Sequence, residues 1–458
     1  MARPRTTSVN DLLDLLQSGE PLASAQIVSQ LGISRPLLSR LVDEAGDRVI
    51  RFGRTRAAAY VATDTRRPHA WPLYRLGADA LPEPLGSLHA LRGDRFLFQP
   101  QGERPNLMRA VESVAGHFPG IPWFLDDVRP QGFLGRTLAH RLGRQLGVPE
   151  DLRSWRTQDS LIGIQHGGTG IGDLLLGSHA VDVALAELQA PPDAVDAGQR
   201  LQAYARMARD ALAGEDVGSS PGGEQPKFTA TVCDGSGRYA ALVKFAVTER
   251  WGDLLAMEHL ALRTLAAHGI AAAQSDLLLD GQNTYLEVRR FDRTPDVLGR
   301  RGFVSLLALD AAFTGEGNRS WGVAGQQLLA ARWISTDTAA QMALLYWFGR
   351  FIGNTDMHQG NLGFELVDAG PLPLCPAYDM LPMYLAPPRS GAERALTPIS
   401  LSAPDQLGQG PVIAQAAVMA MDFWEQVAQT PTLRDPAIGT LARANCEVVA
   451  TYALRFGR

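Results

Sequence analysis

Gly353-Asn354-Thr355-Asp356-Met357-His358-Gln359-Gly360-Asn361-Leu362-Gly363-Phe364 is the stretch whose reading decides the fold. Upstream, Ala339 to Ile352 is rich in apolar residues, with Met342, Leu345, Tyr346 and Phe348 at helical spacing. Downstream, Leu362, Phe364 and Leu366 alternate as in a strand, and Asp368-Ala369-Gly370-Pro371 closes the run. The polar residues between therefore lie on a loop at an element junction, where rigid scaffolds commonly mount chemistry. A polar turn capped by an Asn or Asp would use some of the same letters.

The rest of the pattern separates these readings. Asn361 follows Asp356 at the spacing of a kinase catalytic loop, in which the Asp accepts a hydroxyl proton and the Asn holds Mg²⁺. That chemistry requires a second carboxylate for the metal. Asp379, in Pro376-Ala377-Tyr378-Asp379-Met380-Leu381, follows another short apolar run and falls at a strand end.

A grip for phosphates is encoded upstream. Of the 43 Lys and Arg residues, only Lys227 and Lys244 are lysines. A compact ammonium differs from a planar guanidinium where a point charge must meet phosphate oxygens. Lys227 closes the loop Ser219-Ser220-Pro221-Gly222-Gly223-Glu224-Gln225-Pro226, whose glycines let backbone N–H groups approach an anion. Phe228 to Cys233 and Tyr239 to Val247 then read as a hairpin around Asp234-Gly235-Ser236-Gly237. Lys244 lies on its second strand, and Glu258, on the helix that follows, is placed to pair with it. A surface hairpin with a snorkelling lysine is the plainer alternative.

The chain has 458 residues, 45% of them hydrophobic and 20% charged, with room for several domains. The net charge of −5 excludes a uniformly basic nucleic-acid binder while leaving local patches open. Cys233, Cys375 and Cys446 are far apart, so neither a disulfide framework nor a zinc site is expected, which suits a reducing cytoplasm. Neither a signal core at Met1-Ala2-Arg3-Pro4-Arg5 nor an apolar run of ~18 residues is present, so a cytoplasmic protein without membrane contact is expected.

Residues 1–66 read as a winged helix-turn-helix that binds duplex DNA. Val9 to Leu16 and Ser24 to Leu31 form two amphipathic helices, Gly32-Ile33-Ser34 turns, and Ser34 caps a third helix through Leu37, Leu38, Leu41 and Val42. Val49 to Phe52 and Ala57 to Val61 would make the wing. Ser34, Arg35, Ser39 and Arg40 would then face bases, and Arg51, Arg54 and Arg56 phosphates. A winged helix used only for protein contacts would have the same outline.

Residues 67–88, rich in Pro and Gly, read as a linker, and 89–190 as a subdomain of short strands and helices such as Gly132 to Leu146. The glycine-rich run at 166–172 reads as a structural turn between strands, because no dinucleotide-site context surrounds it. Residues 191–295 form the expected small-lobe core, ending in the candidate hinge Tyr285 to Arg293. A helical lobe is expected over 296–458, with helices near Val304 to Phe313, Gly325 to Ala331, Ile413 to Thr430 and Ile438 to Phe456.

In this order the motifs resemble the HipA-type serine/threonine kinases of bacterial toxin–antitoxin systems. The match rests on Ser-x-x-Gly-x-Gln-x-Lys at Ser220 to Lys227, Arg290-Phe291-Asp292-Arg293, Asp-x-His-x-x-Asn at Asp356 to Asn361, and Pro122 to Gly132. The fused helix-turn-helix resembles that of the family's longer branch. The resemblance implies an α+β multidomain protein: a winged helix followed by a bilobal HipA-like kinase fold with a largely helical C-lobe. It implies ATP and Mg²⁺, with Asp356 as base, Lys244 on the α- and β-phosphates, and Asn361 and Asp379 on the metal. Ser220, Gly222, Gly223, Gln225, Lys227, Glu258, Phe291 and His358 would surround the nucleotide. Ser220 would be autophosphorylated, with Ser219 as its rival. A protein substrate such as an aminoacyl-tRNA synthetase, an antitoxin and a homodimer are the partners implied. This chain departs from the family at Met357 (usually Gly), Gly360 (usually Lys) and Arg289 (commonly Glu). A small-molecule phosphotransferase, or a transcription regulator using the kinase fold as a nucleotide sensor, are the alternatives.

Overall fold

The computed structural model describes residues 7–53, 58–65, 69–109, 114–166, 170–213, 225–246, 248–281, 283–315, 317, 320–387, 396–404 and 408–457. At the start, α1 (Val9–Leu15), α2 (Ser24–Leu31) and α3 (Arg35–Ala45) pack around Leu12, Leu16, Ile27, Leu38 and Leu41. Gly32, at φ +63°, ends α2, and the Ser34 hydroxyl accepts the Leu37 N–H to begin α3. Three antiparallel strands close this unit in the order β1 (Leu22–Ala23), β3 (Ala59–Ala62), β2 (Val49–Phe52).

The N-terminal unit packs against the segment 89–118. The His117 imidazole, buried, donates to the Gly19 carbonyl at 3.1 Å, and Asp64 N–H donates to Ala90 O at 3.0 Å. Arg95 pairs with Glu20, and Ile50, Phe52 and Val61 pack against Leu91 and Leu97.

The stretch expected as a linker at 67–88 is instead the centre of a sheet. β4 (Ala70–Leu76) and β5 (Pro82–Ala90) pair antiparallel, with β6 (Phe96–Pro100), β7 (His117–Phe118) and β8 (Leu174–Leu176) completing the order β7-β6-β5-β4-β8. The prolines are tolerated by position: Pro82 opens β5, and Pro84 stands beside the register shift between Leu73 and Tyr74. Leu73, Leu76, Leu85 and Leu88 are fully buried, three apart within each strand because the register shift lies between them, and their burial outweighed the Pro and Gly content. Against this sheet lie α5 (Thr157–His166) and α6 (Ser178–Gln189), and α4 (Gly132–Leu146) packs on α5. The glycine-rich run therefore joins α5 to β8, a helix to a strand rather than two strands.

A second five-stranded sheet has the order β12 (Ser275–Asp280), β13 (Asn283–Arg289), β11 (Gly237–Phe245), β10 (Lys227–Asp234), β9 (Ala194–Asp196). α7 (Arg200–Ala213) covers one face and α8 (Glu249–Ala267) the other. On the α7 face the buried Glu287 accepts from Tyr204 at 2.6 Å and Tyr239 at 2.7 Å, while Arg289 stacks 3.9 Å over the Tyr239 ring.

The remainder is mostly helical. β14 (Val304–Ser305) pairs with β15 (Gly363–Phe364). The helix expected from Val304 starts only at Leu306, because Ser305 is its N-cap, as α9 (Leu306–Leu309) followed by a π-turn over Asp310–Thr314. α10 (Trp321–Ala330), α11 (Thr336–Phe351), α12 (Gly410–Gln429) and α13 (Ala437–Phe456) enclose a core containing Trp321, Trp333, Trp347 and Trp424. Among the described residues no helix is long and apolar enough to cross a membrane.

Buried charges join the two sheets. The Asp292 carboxylate accepts from Arg290 Nε at 2.9 Å, Arg290 Nη2 at 2.8 Å, Arg293 Nη1 at 2.7 Å and Gly172 N–H at 2.9 Å. Arg293 also donates to the Gly170 carbonyl at 2.6 Å. The motif Arg290 to Arg293 thus anchors the segment after β13 to the loop before β8.

Candidate active site

Strand register places the two lysines side by side. With Gly235 and Ser236 at the tip, stabilised by Ser236 N–H donating to Asp234 Oδ1 at 2.8 Å, Lys227 pairs with Lys244 across β10 and β11. The buried Lys244 ammonium meets Glu258 Oε1 at 2.6 Å and Oε2 at 2.8 Å, and also pairs with Asp379. Burial alone would depress the lysine, yet Asp379 and Glu258 hold it above its usual range. Burial raises Glu258 despite Lys244, whereas Lys244 and Lys227 overcome burial and hold Asp379 below the usual carboxylate range.

Two loops bring the remaining groups together. Asn354, buried, accepts Asp356 N–H at 3.1 Å and donates to the Asp379 carbonyl at 3.2 Å. Asp379 itself sits at φ +54°, a left-handed backbone that a non-glycine residue adopts at a cost. Asn361 Nδ2 donates to the Asp356 carbonyl at 2.8 Å, which leaves its Oδ1 as the atom available to a cation. Asp356 and His358 are exposed, and His358 Nδ1 accepts Gly360 N–H at 3.0 Å.

These residues line a cavity of about 450 Å³ between the second sheet and the helical part. Lys227, Lys244, Gln225, Glu258, Asp356, His358, Asn361 and Asp379 all face it. Phe291 does not; it packs with Phe303 and Tyr378, at ring separations of 6.1 and 5.6 Å. Ser219, Ser220, Gly222 and Gly223 lie outside the described residues, as do Arg54 and Arg56. Ser34, Arg35, Ser39, Arg40 and Arg51 are exposed on the N-terminal unit, well separated in sequence from the cavity residues.

The donor set suits a hard cation bound together with phosphates. One amide oxygen and one carboxylate are what Mg²⁺ takes from a protein when waters and phosphate oxygens supply the rest. Among the described residues no cluster of three or more His, Cys, Asp or Glu could hold a metal alone.

Two comparisons bear on ancestry. The descriptions "YjjJ-like toxin, middle domain" and "HipA-like C-terminal domain" match residues 67–185 and 219–434. Toxin YjjJ of Escherichia coli (strain K12) is 36% identical over 439 residues, covering 93% of this chain and 94% of that protein. The chain belongs to the YjjJ-like toxin family. Its fold is HipA-like: the HipA, HipB and operator DNA complex of the Shewanella oneidensis MR-1 toxin–antitoxin system aligns over 84% of this chain and 99% of that chain. The TM-score is 0.56 at 16% identity. The match to the middle domain of YjjJ-like toxins starts at residue 67, so it includes β4 and β5.

Two departures of this YjjJ-like chain from the wider HipA pattern have local causes. Met357 fills a notch at Gly349 on α11, where any Cβ would collide with its sulfur. A Cβ at Gly360 would stand 2.9 Å from the His358 ring, so a glycine there preserves the His358 turn. Reading by motif missed Asn354, which links the Asp356 and Asp379 loops, although Asn-x-Asp is a standard side-chain turn signal. It also missed Asp127, Gln131 and Phe133, which line the cavity from the middle domain. Asp127 accepts Ser305 N–H at 2.7 Å, and burial pushes its carboxyl up to about 6.

Proposed function

We propose that this toxin is an ATP- and Mg²⁺-dependent kinase that phosphorylates serine or threonine hydroxyls, fused to a DNA-binding winged helix over 1–66. The observation that carries the reading is Lys244, held between Glu258 and Asp379 at the end of the cavity onto which Asp356 and Asn361 converge. Lys244 and Lys227 would hold phosphate oxygens, and Gln225 would fix the loop that approaches them. Asn361 Oδ1 and Asp379 would hold Mg²⁺, which neutralises phosphate charge when bound with the nucleotide. Asp356 would accept the hydroxyl proton, with its backbone held by Asn354 and Asn361. Catalysis of this kind rests on positioning and charge.

Ser220 would be the autophosphorylation site, with Ser219 as rival. A phosphate there adds about −1.5 to −2 charges beside the nucleotide loop and would switch the enzyme off by repulsion. Intact-mass measurement after incubation with MgATP tests both parts. One phosphate is expected on the wild-type chain and none on Ser220→Ala or Asp356→Ala; phosphate on purified Asp356→Ala made without another kinase would refute the base assignment.

For the N-terminal unit, exposed Ser34, Arg35, Ser39 and Arg40 on α3 support major-groove contact, with Arg51, Arg54 and Arg56 on phosphates. An antitoxin partner and operator binding follow from the HipA likeness, and the kinase target and dimerisation belong to the same proposal. Arg35→Ala/Arg40→Ala should lower affinity for a selected DNA site about tenfold or more and relax its sequence preference, with the salt dependence carried by the phosphate contacts largely kept. Unchanged binding in a salt-titrated shift assay would remove α3 from the interface.

A further inference from the structure

Among the described residues, Asp127 is the one carboxylate that the middle domain brings to the cavity with Lys244. It follows the short turn Trp123–Leu125, whose three side chains are buried. Trp123 meets Phe313 and Trp333 edge-on, at ring separations of 5.5 and 5.3 Å, and its indole N–H donates to the Arg109 carbonyl at 3.0 Å. The turn is thereby fixed to the helical part, and Asp127 is held where it accepts the Ser305 N–H at 2.7 Å. Ser305 has ties of its own to the catalytic loop. It pairs with Gly363 in the two-residue ladder of β14 and β15, and its neighbour Leu306 donates to the Leu362 carbonyl at 2.8 Å. Leu362 directly follows Asn361. Gly363 lets the two strands press together, since a Cβ there would stand 2.2 Å from the Phe303 ring.

We propose that Asp127 is a positioning residue for Mg²⁺: by holding Ser305 it fixes the strand pair that places Asn361 Oδ1. The inference rests on the kinase reading above and adds that the middle domain sets the geometry of the metal site. Asn361 is braced from three sides. Within its own loop, its N–H donates to the His358 carbonyl at 3.0 Å and its Nδ2 to the Asp356 carbonyl at 2.8 Å. From the Asp379 loop, the Tyr378 hydroxyl donates to the Gly360 carbonyl at 2.8 Å and the Cys375 N–H to the Gly363 carbonyl at 2.9 Å. The third brace is β14, and a ladder of two residue pairs is marginal without outside support. Asp127 supplies that support. Without it the N–H of Ser305, which is 2% exposed, is left buried without its acceptor, and β14 must shift to satisfy it. A ligand whose orienting partner is lost binds its metal about 10–100-fold more weakly.

Calorimetric titration of Mg²⁺ into the full chain saturated with the β,γ-imido analogue of ATP reads the metal site without turnover. Asp127→Ala should raise the Mg²⁺ dissociation constant about tenfold, while affinity for the analogue in EDTA stays within about twofold of wild type. Asp127→Asn, whose amide oxygen still accepts the Ser305 N–H, should stay within about threefold on both measures. Ser305→Pro deletes the same bond from its donor end, at a φ of −76° that proline adopts, and decides the matter if Asp127→Ala does not fold. Combining Asp127→Ala with Ser305→Pro should weaken Mg²⁺ no further than Ser305→Pro alone. In the metal-free protein, amide exchange at 361–364 should quicken in Asp127→Ala while that of α11 is unchanged. A folded Asp127→Ala or Ser305→Pro with wild-type Mg²⁺ affinity overturns the proposal and leaves the kinase reading standing. So does an Asp127→Asn as weak as Asp127→Ala, because the charge would then act directly, or an equal loss of analogue affinity in EDTA, which would mark general damage. Mg²⁺ that fails to tighten analogue binding to the wild type overturns the metal-dependent kinase reading and this proposal with it.

Discussion

Lys244→Ala will abolish measurable phosphoryl transfer and destabilise the chain at the same time. Loss of a preorganised charge on a transferring group costs about 10²–10³ in rate. The same substitution leaves Glu258, with 1% of its side chain exposed, facing Asp379 without a counter-ion. Breaking such a buried pair costs about 3–5 kcal/mol. The two effects are separable. Lys244→Met/Glu258→Gln removes the stranded charge, so its denaturant midpoint should recover towards wild type while transfer remains absent. Label transfer and urea unfolding on the three proteins decide it, and a double variant that regains activity would remove Lys244 from the chemistry. The acid limb has a definite sign. Asp379 is held below its usual range, so its stabilisation is complete above the unfolded carboxylate pKa and lost as pH falls towards the folded one.

The hairpin that carries Lys244 was legible from the letters alone, but Lys227 reads there as closing the loop before it and not as the partner of Lys244. A two-residue turn at Gly235-Ser236 sets Asp234 opposite Gly237, and counting back along both strands brings Lys227 opposite Lys244. The helices α2 and α4 were legible in the same way, because a cap or glycine marked an end of each and apolar spacing marked the body. The sheet strands β4 and β5 were not. Pro72, Pro82, Pro84 and Gly86 carry the composition of a linker, and only pairing with β6 and β8 shows which prolines avoid ladder positions. Cavity residues contributed by the middle domain were illegible for a related reason. Asp127 lies more than two hundred residues before Asp356, and no local spacing relates one to the other. Phe291 shows the limit of reading a motif as a unit. Arg290, Asp292 and Arg293 turn to the middle domain, and Phe291 packs with Phe303 and Tyr378 instead of lining the cavity.

Asp292→Ala is expected to cost more stability than any single change in the lining of the cavity apart from those at Lys244 and its partners. One carboxylate, 4% exposed, receives hydrogen bonds from Arg290, Arg293 and the Gly172 backbone. Removing it strands two buried guanidiniums beside Arg300, whose affinity for its proton is already lowered to about 10 by burial and neighbouring Arg290. The expected loss is about 3–5 kcal/mol. Asp292→Asn should be milder, since an amide oxygen still accepts the Gly172 N–H and one guanidinium bond. Because Arg290 and Arg293 hold Asp292 far below the usual carboxylate range, the wild-type advantage over Asp292→Asn is present at neutral pH. It is lost only as pH falls through the unfolded value of about 3.9 towards the folded one. The cluster joins β8's entry loop to the segment after β13, so the variant should also lose amide-exchange protection at 170–176 before the core of α11 does. Urea unfolding at pH 7 and hydrogen exchange measure the two effects; a loss under about 1 kcal/mol, with protection at 170–176 unchanged, would show that the arginines find other partners and that the domains are joined elsewhere.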